Sequence, residues 1–204
     1  MKNKILIAGG TGFLGFHIIK KLIAKRYTIH SLSSQYPFKH RKLKKVKYIV
    51  CDLRNKREIL KKVVDKYNYI INLSGYVDHS NKIETIKVHY DGLKNLADHF
   101  LNKKISNFIQ IGSSLEYGNL KSPQKEKLTG RPAGYYGTAK HKASKYLQKI
   151  NIKYNFPFTI LRLYQVYGPN QKYNRLIPFT IKNCLQNKEF NCSEGNQLRD
   201  FLFV

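Results

Sequence analysis

The heptapeptide Gly9-Gly10-Thr11-Gly12-Phe13-Leu14-Gly15 lies directly behind the apolar run Ile5-Leu6-Ile7-Ala8 and directly ahead of a helix-like stretch that reaches Lys25. A strand that breaks into glycines and re-forms at once as a helix leaves the chain few options. Gly10, Gly12 and Gly15 fit the G-x-G-x-x-G fingerprint of a dinucleotide-binding turn, and Gly9, Gly12 and Gly15 fit the variant with one more residue between the first two glycines. Either way the same turn lies under a pyrophosphate. Glycines let the chain turn tightly, let its backbone approach the phosphates, and let the helix pack closely on the strand. The anion then rests on free N–H groups at the helix N-terminus, where the dipole favours negative charge. A bare glycine triplet would be an ordinary turn; the strand before it and the helix after it make a cofactor turn the expectation.

Short apolar, β-branched runs recur at 5–8, 28–32, 46–50, 69–73, 108–111 and 158–163, each too short for a buried helix and each followed by turn residues. They read as buried parallel strands. Segments of helical length, 13–25, 57–66, 82–103 and 136–153, lie between them. Strands alternating with helices predict an α/β protein, a doubly wound Rossmann fold with a parallel sheet. Residues 1–165 are expected to form this NAD(P)-binding domain, and 166–204 the beginning of a smaller substrate-binding region. There Val166-Tyr167-Gly168-Pro169-Asn170 is turn-rich, and 176–186 is predicted as a helix opened by Pro178. The sequence stops at Phe201-Leu202-Phe203-Val204, strand-like and without a polar tail, which suggests a fragment whose second domain is incomplete.

At 204 residues the chain can bury a full core. No stretch is apolar enough to span a membrane. Lys2 and Lys4 before an apolar run superficially resemble a secretory signal, but the run is short, breaks into glycines and lacks a small-residue cleavage site. Cys51, Cys184 and Cys192 are odd in number and share no metal spacing, so reduced thiols in a cytoplasmic protein are expected, with no metal. The net charge, 38 − 12 = +26, raises nucleic acid as a partner. Against that, the basic residues are spread everywhere, and lysine outnumbers arginine 30 to 8 where base and phosphate recognition leans on the arginine fork. The densest run, 40–47, reads as a solvated segment before a strand. Nucleic acid is disfavoured, although anionic ligands are still attracted.

A tyrosine four residues before a lysine on one helix puts both side chains on the same face. The lysine charge can then bring the phenol toward use as a general base. With 15 tyrosines and 30 lysines, roughly two such pairs arise by chance, and the chain has three: Tyr90/Lys94, Tyr117/Lys121 and Tyr136/Lys140. Context selects the last. Tyr136 opens a helix downstream of a strand ending in Gly112-Ser113-Ser114, and ligands of open α/β sheets bind outside the carboxyl ends of strands. Tyr90 lies mid-helix and Tyr117 in a loop, where packing explains both. His17, His30, His79, His89 and His141 lack ligand spacing and read as structural or surface histidines; Tyr76 and His79, after the fourth strand, could touch a substrate.

The glycine run, the strand end Asn72-Leu73-Ser74-Gly75, Gly112-Ser113-Ser114-Leu115-Glu116-Tyr117-Gly118, Tyr136-Gly137-Thr138-Ala139-Lys140, and Leu161-Arg162-Leu163-Tyr164-Gln165-Val166-Tyr167-Gly168-Pro169 occur in one order. Together they resemble an extended short-chain dehydrogenase/reductase of the NAD-dependent epimerase/dehydratase family, over essentially the whole chain. The resemblance implies a nucleotide-sugar enzyme in which Tyr136 is the base on a sugar hydroxyl, Lys140 holds the nicotinamide ribose, and Ser113 hydrogen-bonds the sugar. It implies cofactor contacts from Gly9, Gly12, Phe13, Leu14, Gly15, Ser33, Asp52, Leu53, Leu73, Ser74 and Gly75, with Tyr136 and Lys140. Substrate contacts would come from Ser114, Gln165 and Arg199, the last gripping phosphate. Members of the family often pair as homodimers through helices like 82–103 and 136–153.

Four departures from the family pattern shape the expected chemistry. Asp52 is the first acidic residue of the chain, so no carboxylate follows the second strand to hold a ribose 2′-hydroxyl; Ser33-Ser34 stand there, with Arg26, Lys39 and Arg41 nearby in sequence. That tilts the cofactor from NAD toward NADP. His89 stands for a helix asparagine, and Gln165 for an asparagine after the sixth strand. The dehydratases' Asp-Glu pair is replaced by Ser114-Leu115, with Glu116 one position further on, and a one-residue offset on a strand turns a side chain to the other face. Epimerisation or 4-ketoreduction is therefore expected over 4,6-dehydration. Two alternatives from other classes are a non-catalytic dinucleotide-binding scaffold and a nucleic-acid-binding Rossmann protein.

Overall fold

In the computed structural model, which describes residues 3–78, 80–128 and 130–204, all six expected strands form. They are β1 (Lys4–Ala8), β2 (Thr28–Ser33), β3 (Val46–Val50), β4 (Tyr69–Asn72), β5 (Asn107–Ser113) and β6 (Phe158–Leu163), in the spatial order β3-β2-β1-β4-β5-β6. β1 pairs in parallel with β2 on one side and β4 on the other, with Ile5 opposite Ile29 and Tyr69. β2 with β3 and β4 with β5 are parallel as well. The strand order reverses between β1 and β4, the place where a doubly wound sheet opens a crevice at its carboxyl edge.

The connections are α1 (Phe13–Ala24), α2 (Lys56–Lys62), α3 (Lys82–Ile86), α4 (Gly92–Phe100) and α5 (Gly134–Tyr154); between β2 and β3 runs only a 3-10 turn, Lys39–Arg41. Successive strand side chains point to opposite faces, so β1 is apolar from Ile5 to Ala8 because both faces are covered there. Ile5 and Ile7 pack with Ile29, Ile71 and Ile19 of α1. Leu6 and Ala8 belong to the other layer with Ile70, Phe108, Ile59 of α2, Leu96 of α4 and Leu147 of α5. Cys51 is buried there too, its thiol pushed up to about 11 by desolvation, and all three cysteines are free thiols.

Two helices differ from their sequence pattern. α2 ends at Lys62 rather than running to 66, because Val63 leaves the helix to join the core at 0% exposure. The segment expected at 82–103 is a single helical run interrupted by a π turn, Lys87–Asp91. A π turn contains one residue more than an α turn and re-aims the side chains it carries, among them His89.

The chain divides into two compact units, the first ending at Arg162 and the second spanning Leu163–Val204. In the second, β7 (Gln165–Tyr167) pairs in parallel with β8 (Phe201–Phe203), and α6 (Leu176–Leu185) forms as expected. Pro178 is the third residue of α6, where a backbone N–H has no intrahelical acceptor to lose. Among the described residues no helix is long and apolar enough to cross a membrane.

Candidate active site

The turn after β1 needs its glycines for reasons of space. Gly9 has φ +79°, and a Cβ there would stand 2.7 Å from the Leu73 carbonyl carbon and 2.8 Å from Ser74 N. A Cβ at Gly15 would meet Gly10 Cα at 2.5 Å, while at Gly12 the nearest atom is Gly9 O at 3.2 Å. Gly12 N–H donates to Gly9 O at 3.0 Å, closing the turn, and Gly12 is the N-cap of α1. No side chain caps α1 and no acidic residue sits in its first turn. The N–H groups of Phe13, Leu14 and Gly15, which have no acceptor within a helix, thus form a positive rim over a glycine cradle, and the fit to a dinucleotide pyrophosphate is good.

The other expected cofactor residues stand at the carboxyl ends of neighbouring strands. Ser33, the last residue of β2, accepts the Thr11 N–H on Oγ at 3.3 Å, so it abuts the glycine turn. Leu73 N–H donates to Ala8 O, and Ser74 donates both N–H and O–H to Asn72 Oδ1. Asp52 and Leu53 follow β3. Leu53 is buried, and the Asp52 carboxylate is clamped by Arg54 through Nε at 2.9 Å and Nη2 at 2.6 Å. Those hydrogen bonds hold Asp52 below the usual carboxylate range. One basic residue is misplaced by sequence proximity alone: Arg26 precedes β2, at the opposite end of a six-residue strand from Ser33, roughly 17 Å away along the strand. Lys39 and Arg41 follow β2, on the same side of the sheet as the turn.

Ser113, Tyr136 and Lys140 are gathered by contacts between β5 and α5. Ser113 ends β5; its hydroxyl accepts the Leu115 N–H at 3.2 Å and caps the 3-10 turn Ser114–Tyr117. That turn lies against the start of α5, where Ala133 N–H donates to Leu115 O and a Cβ on Gly137 would come within 3.0 Å of the same oxygen. Tyr136 is half-buried in the first turn of α5. Lys140, one turn on and 4% exposed, donates from Nζ to Ile111 O of β5 at 2.7 Å and lies 5.7 Å from the Tyr136 ring centroid. Burial lowers its ammonium to about 8, opposed by the negative charge of Glu116.

The 3-10 turn corrects one expectation. Residues 114–116 are not a strand extension, so Glu116 is aimed by the turn and not by strand alternation. Its carboxylate is buried, accepting from Ser113 N–H at 2.9 Å and Ser144 O–H at 2.6 Å, with Arg162 Nε at 3.4 Å. Ser113-x-x-Glu116 is a capping box, a signature legible in sequence although the Arg162 and Ser144 partners are not. His89 is a second residue the sequence left as structural. It is buried in the π turn, edge-on to Tyr136, with its Nε2 receiving the Tyr76 N–H at 3.1 Å. Lys2 and His79 lie outside the described residues.

Ser114 is half-buried beside Ser113. In the second unit, Gln165 and Arg199 are exposed; Gln165 N–H donates to Asp200 O, and Arg199 turns a guanidinium N–H onto Leu198 O. Tyr90 and Tyr117 are packing residues: Tyr90 meets the Tyr146 ring, and Tyr117 is buried beneath the Arg162 guanidinium.

A family model described as the NAD dependent epimerase/dehydratase family matches residues 5–204. Protein CapI of Staphylococcus aureus is 28% identical over 219 residues, covering 98% of this chain and 66% of its own length. The fold matches the UDP-glucose 4-epimerase of Thermotoga maritima, solved with UDP-glucose, at a TM-score of 0.88 and 22% identity, over 98% of this chain and 69% of that one. It also matches the UDP-glucuronic acid 4-epimerase of Bacillus cereus, solved with UDP-glucuronic acid and NAD, at a TM-score of 0.83 and 21% identity, over 98% and 69%. The chain spans about two thirds of the length of these relatives.

Proposed function

Because the chain belongs to the NAD dependent epimerase/dehydratase family, we propose that it serves a nucleotide-sugar 4-epimerase or 4-ketoreductase, with Ser113, Tyr136 and Lys140 as the reacting set. The observation that carries this reading is the junction of β5 and α5, where the buried Lys140 ammonium donates to Ile111 O and lies beside the Tyr136 ring, on a helix whose start packs against the turn that Ser113 caps. Bound nicotinamide supplies an acceptor and donor of hydride. Tyr136 takes the proton of a sugar hydroxyl as the carbon bearing it becomes a ketone, and gives the proton back when the ketone is reduced. Lys140 stabilises the phenolate oxygen by charge and would hold the nicotinamide ribose. Ser113 orients the hydroxyl by hydrogen bonding.

Dehydration finds less support. Positions 114 and 115 carry no carboxylate, and Glu116 is occupied by the buried donors Ser113 N–H and Ser144 O–H and by an ion pair with Arg162. For the cofactor, the absence of a carboxylate after β2, with Lys39 and Arg41 on the connection that follows, favours NADP over NAD. Residues 166–204 are read as the start of a substrate-binding region, Ser114, Gln165 and Arg199 are each read as substrate contacts, and the partner of the chain is read as a second copy joined through the helical run 82–103 and through α5.

The test begins with calorimetric titration of the chain with NAD⁺ and NADP⁺. Nucleotide sugars, UDP-glucose and UDP-galactose first, are then followed by NMR for interconversion and by absorbance for NADPH loss. Interconversion without net cofactor use identifies an epimerase; stoichiometric NADPH loss identifies a reductase. Failure of a folded chain to bind either dinucleotide would overturn the reading, and binding with no turnover would support the scaffold instead.

A further inference from the structure

We propose that Glu116 is the positioning residue of this site: its buried carboxylate fixes the backbone of Ser113 and, through Ser144, ties the face of α5 that carries Lys140 to the end of β5. Among the described residues, Ser113 N–H at 2.9 Å and Ser144 O–H at 2.6 Å donate to the carboxylate, and Arg162 Nε pairs with it at 3.4 Å. Ser144 lies four residues after Lys140 on α5 and therefore shares its helix face. One side chain thus joins the last residue of β5 to the helix face that carries Lys140.

The charge has a second consequence. Lys140 is buried; its Nζ donates to the Ile111 carbonyl of β5 and lies near the face of the Tyr136 ring, and neither group carries a formal charge. Desolvation pulls its proton off, and Glu116 is the charge that opposes this. Among the described residues, Tyr136 from α5 stands beside Lys140 and Arg162 from β6 beside Glu116. Arg162 shares its charge with the Tyr117 ring face at 4.6 Å and with the Glu126 carbonyl at 3.2 Å, and its contact with Glu116 is the longest of the carboxylate's three. The carboxylate accordingly keeps enough of its field to act on Lys140.

Ser113, Tyr136 and Lys140 acquire a reacting role only through the proposed function; the titration of Lys140 is measured without cofactor or substrate and does not depend on that role. The probe is NMR of the chain labelled with [¹³Cε]lysine, in which the Lys140 resonance is identified by its loss in Lys140→Met. Its midpoint is expected well below those of the surface lysines. In Glu116→Gln, which keeps the size and an acceptor oxygen, the midpoint falls by about one unit or more. In Arg162→Gln, which frees Glu116 of its cation, the midpoint rises, and this second arm stands if the first variant does not fold. A folded Glu116→Gln with an unmoved Lys140 midpoint, or an Arg162→Gln midpoint that stays or falls, overturns the proposal and leaves Glu116 a packing residue.

Discussion

The imidazole of His89 stands edge-on to the phenol of Tyr136, ring centroids 4.9 Å apart and planes at 82°, while its Nε2 takes the Tyr76 N–H. One buried side chain therefore connects the segment after β4 to the residue read as the general base. A Cβ on Gly75 would come within 2.9 Å of His89 Cε1, so the backbone of that segment is fitted to this ring. His89→Leu removes the ring pair, worth about 0.5–1.5 kcal/mol, and takes from the part-buried Tyr76 N–H its acceptor, a net loss of about 1 kcal/mol. The variant should unfold at lower denaturant, and turnover should fall by more than the loss of folded protein explains. Equal losses in the two measurements would make His89 a core residue only.

The glycine turn separates folding from binding. Gly9→Ala forces a side chain into the Leu73–Ser74 backbone at a positive φ, and should destabilise by about 1–3 kcal/mol. Gly12→Val meets only Gly9 O at 3.2 Å, so the fold should survive while the added methyls cover the approach to the α1 N-terminus. Calorimetry should show dinucleotide affinity reduced at least about tenfold, some 1.4 kcal/mol, with thermal stability nearly unchanged. Undiminished affinity would remove the turn as the pyrophosphate site.

Ser33→Asp tests cofactor choice. An acid at the end of β2 can accept from a ribose 2′-hydroxyl and repels a 2′-phosphate. NADP⁺ affinity should fall about tenfold or more against NAD⁺, measured by competitive titration of both dinucleotides. An unchanged ratio would mean that the 2′ position is not read from Ser33.

Lys140 links stability to pH. Its ammonium is lowered from 10.5 to about 8 in the folded chain, so between those values the unfolded chain binds more protons and stability rises with pH. Below pH 8 the cost is fully present, about 3 kcal/mol. About 1 kcal/mol of it should be recovered between pH 7 and 9. Cys51, raised by burial from 9.0 to about 11, already works the other way near pH 9, and Tyr67 and Tyr146, also raised by burial, do so at higher pH. Urea unfolding at pH 7 and 9 should show the rise in the native chain and its absence in Lys140→Met, which should also be the more stable at pH 7. A slope that persists in Lys140→Met would assign the linkage to another group.

The six strands, their parallel order and the glycine turn were legible because each is a local pattern. A strand covered on both faces is apolar at every position, as in Ile5-Leu6-Ile7-Ala8, and a turn that admits no Cβ has to be written in glycine. Tyr136 and Lys140 were legible for the same reason, since four residues on a helix set one face. The capping box Ser113-x-x-Glu116 was in the sequence, but its length of four residues says nothing of Ser144 and Arg162, which are 28 and 46 positions further along the chain.

What the sequence determined by itself is the doubly wound sheet and the place of a glycine turn upon it, because strand periodicity and glycine sterics act between near neighbours. The tertiary structure decided the rest. It moved Arg26 to the far end of β2, turned Glu116 inward onto three donors, and used a π turn to set His89 against Tyr136. Each of these depends on which strand ends meet which helix start, and burial and charge act through space, across separations that no sequence pattern encodes.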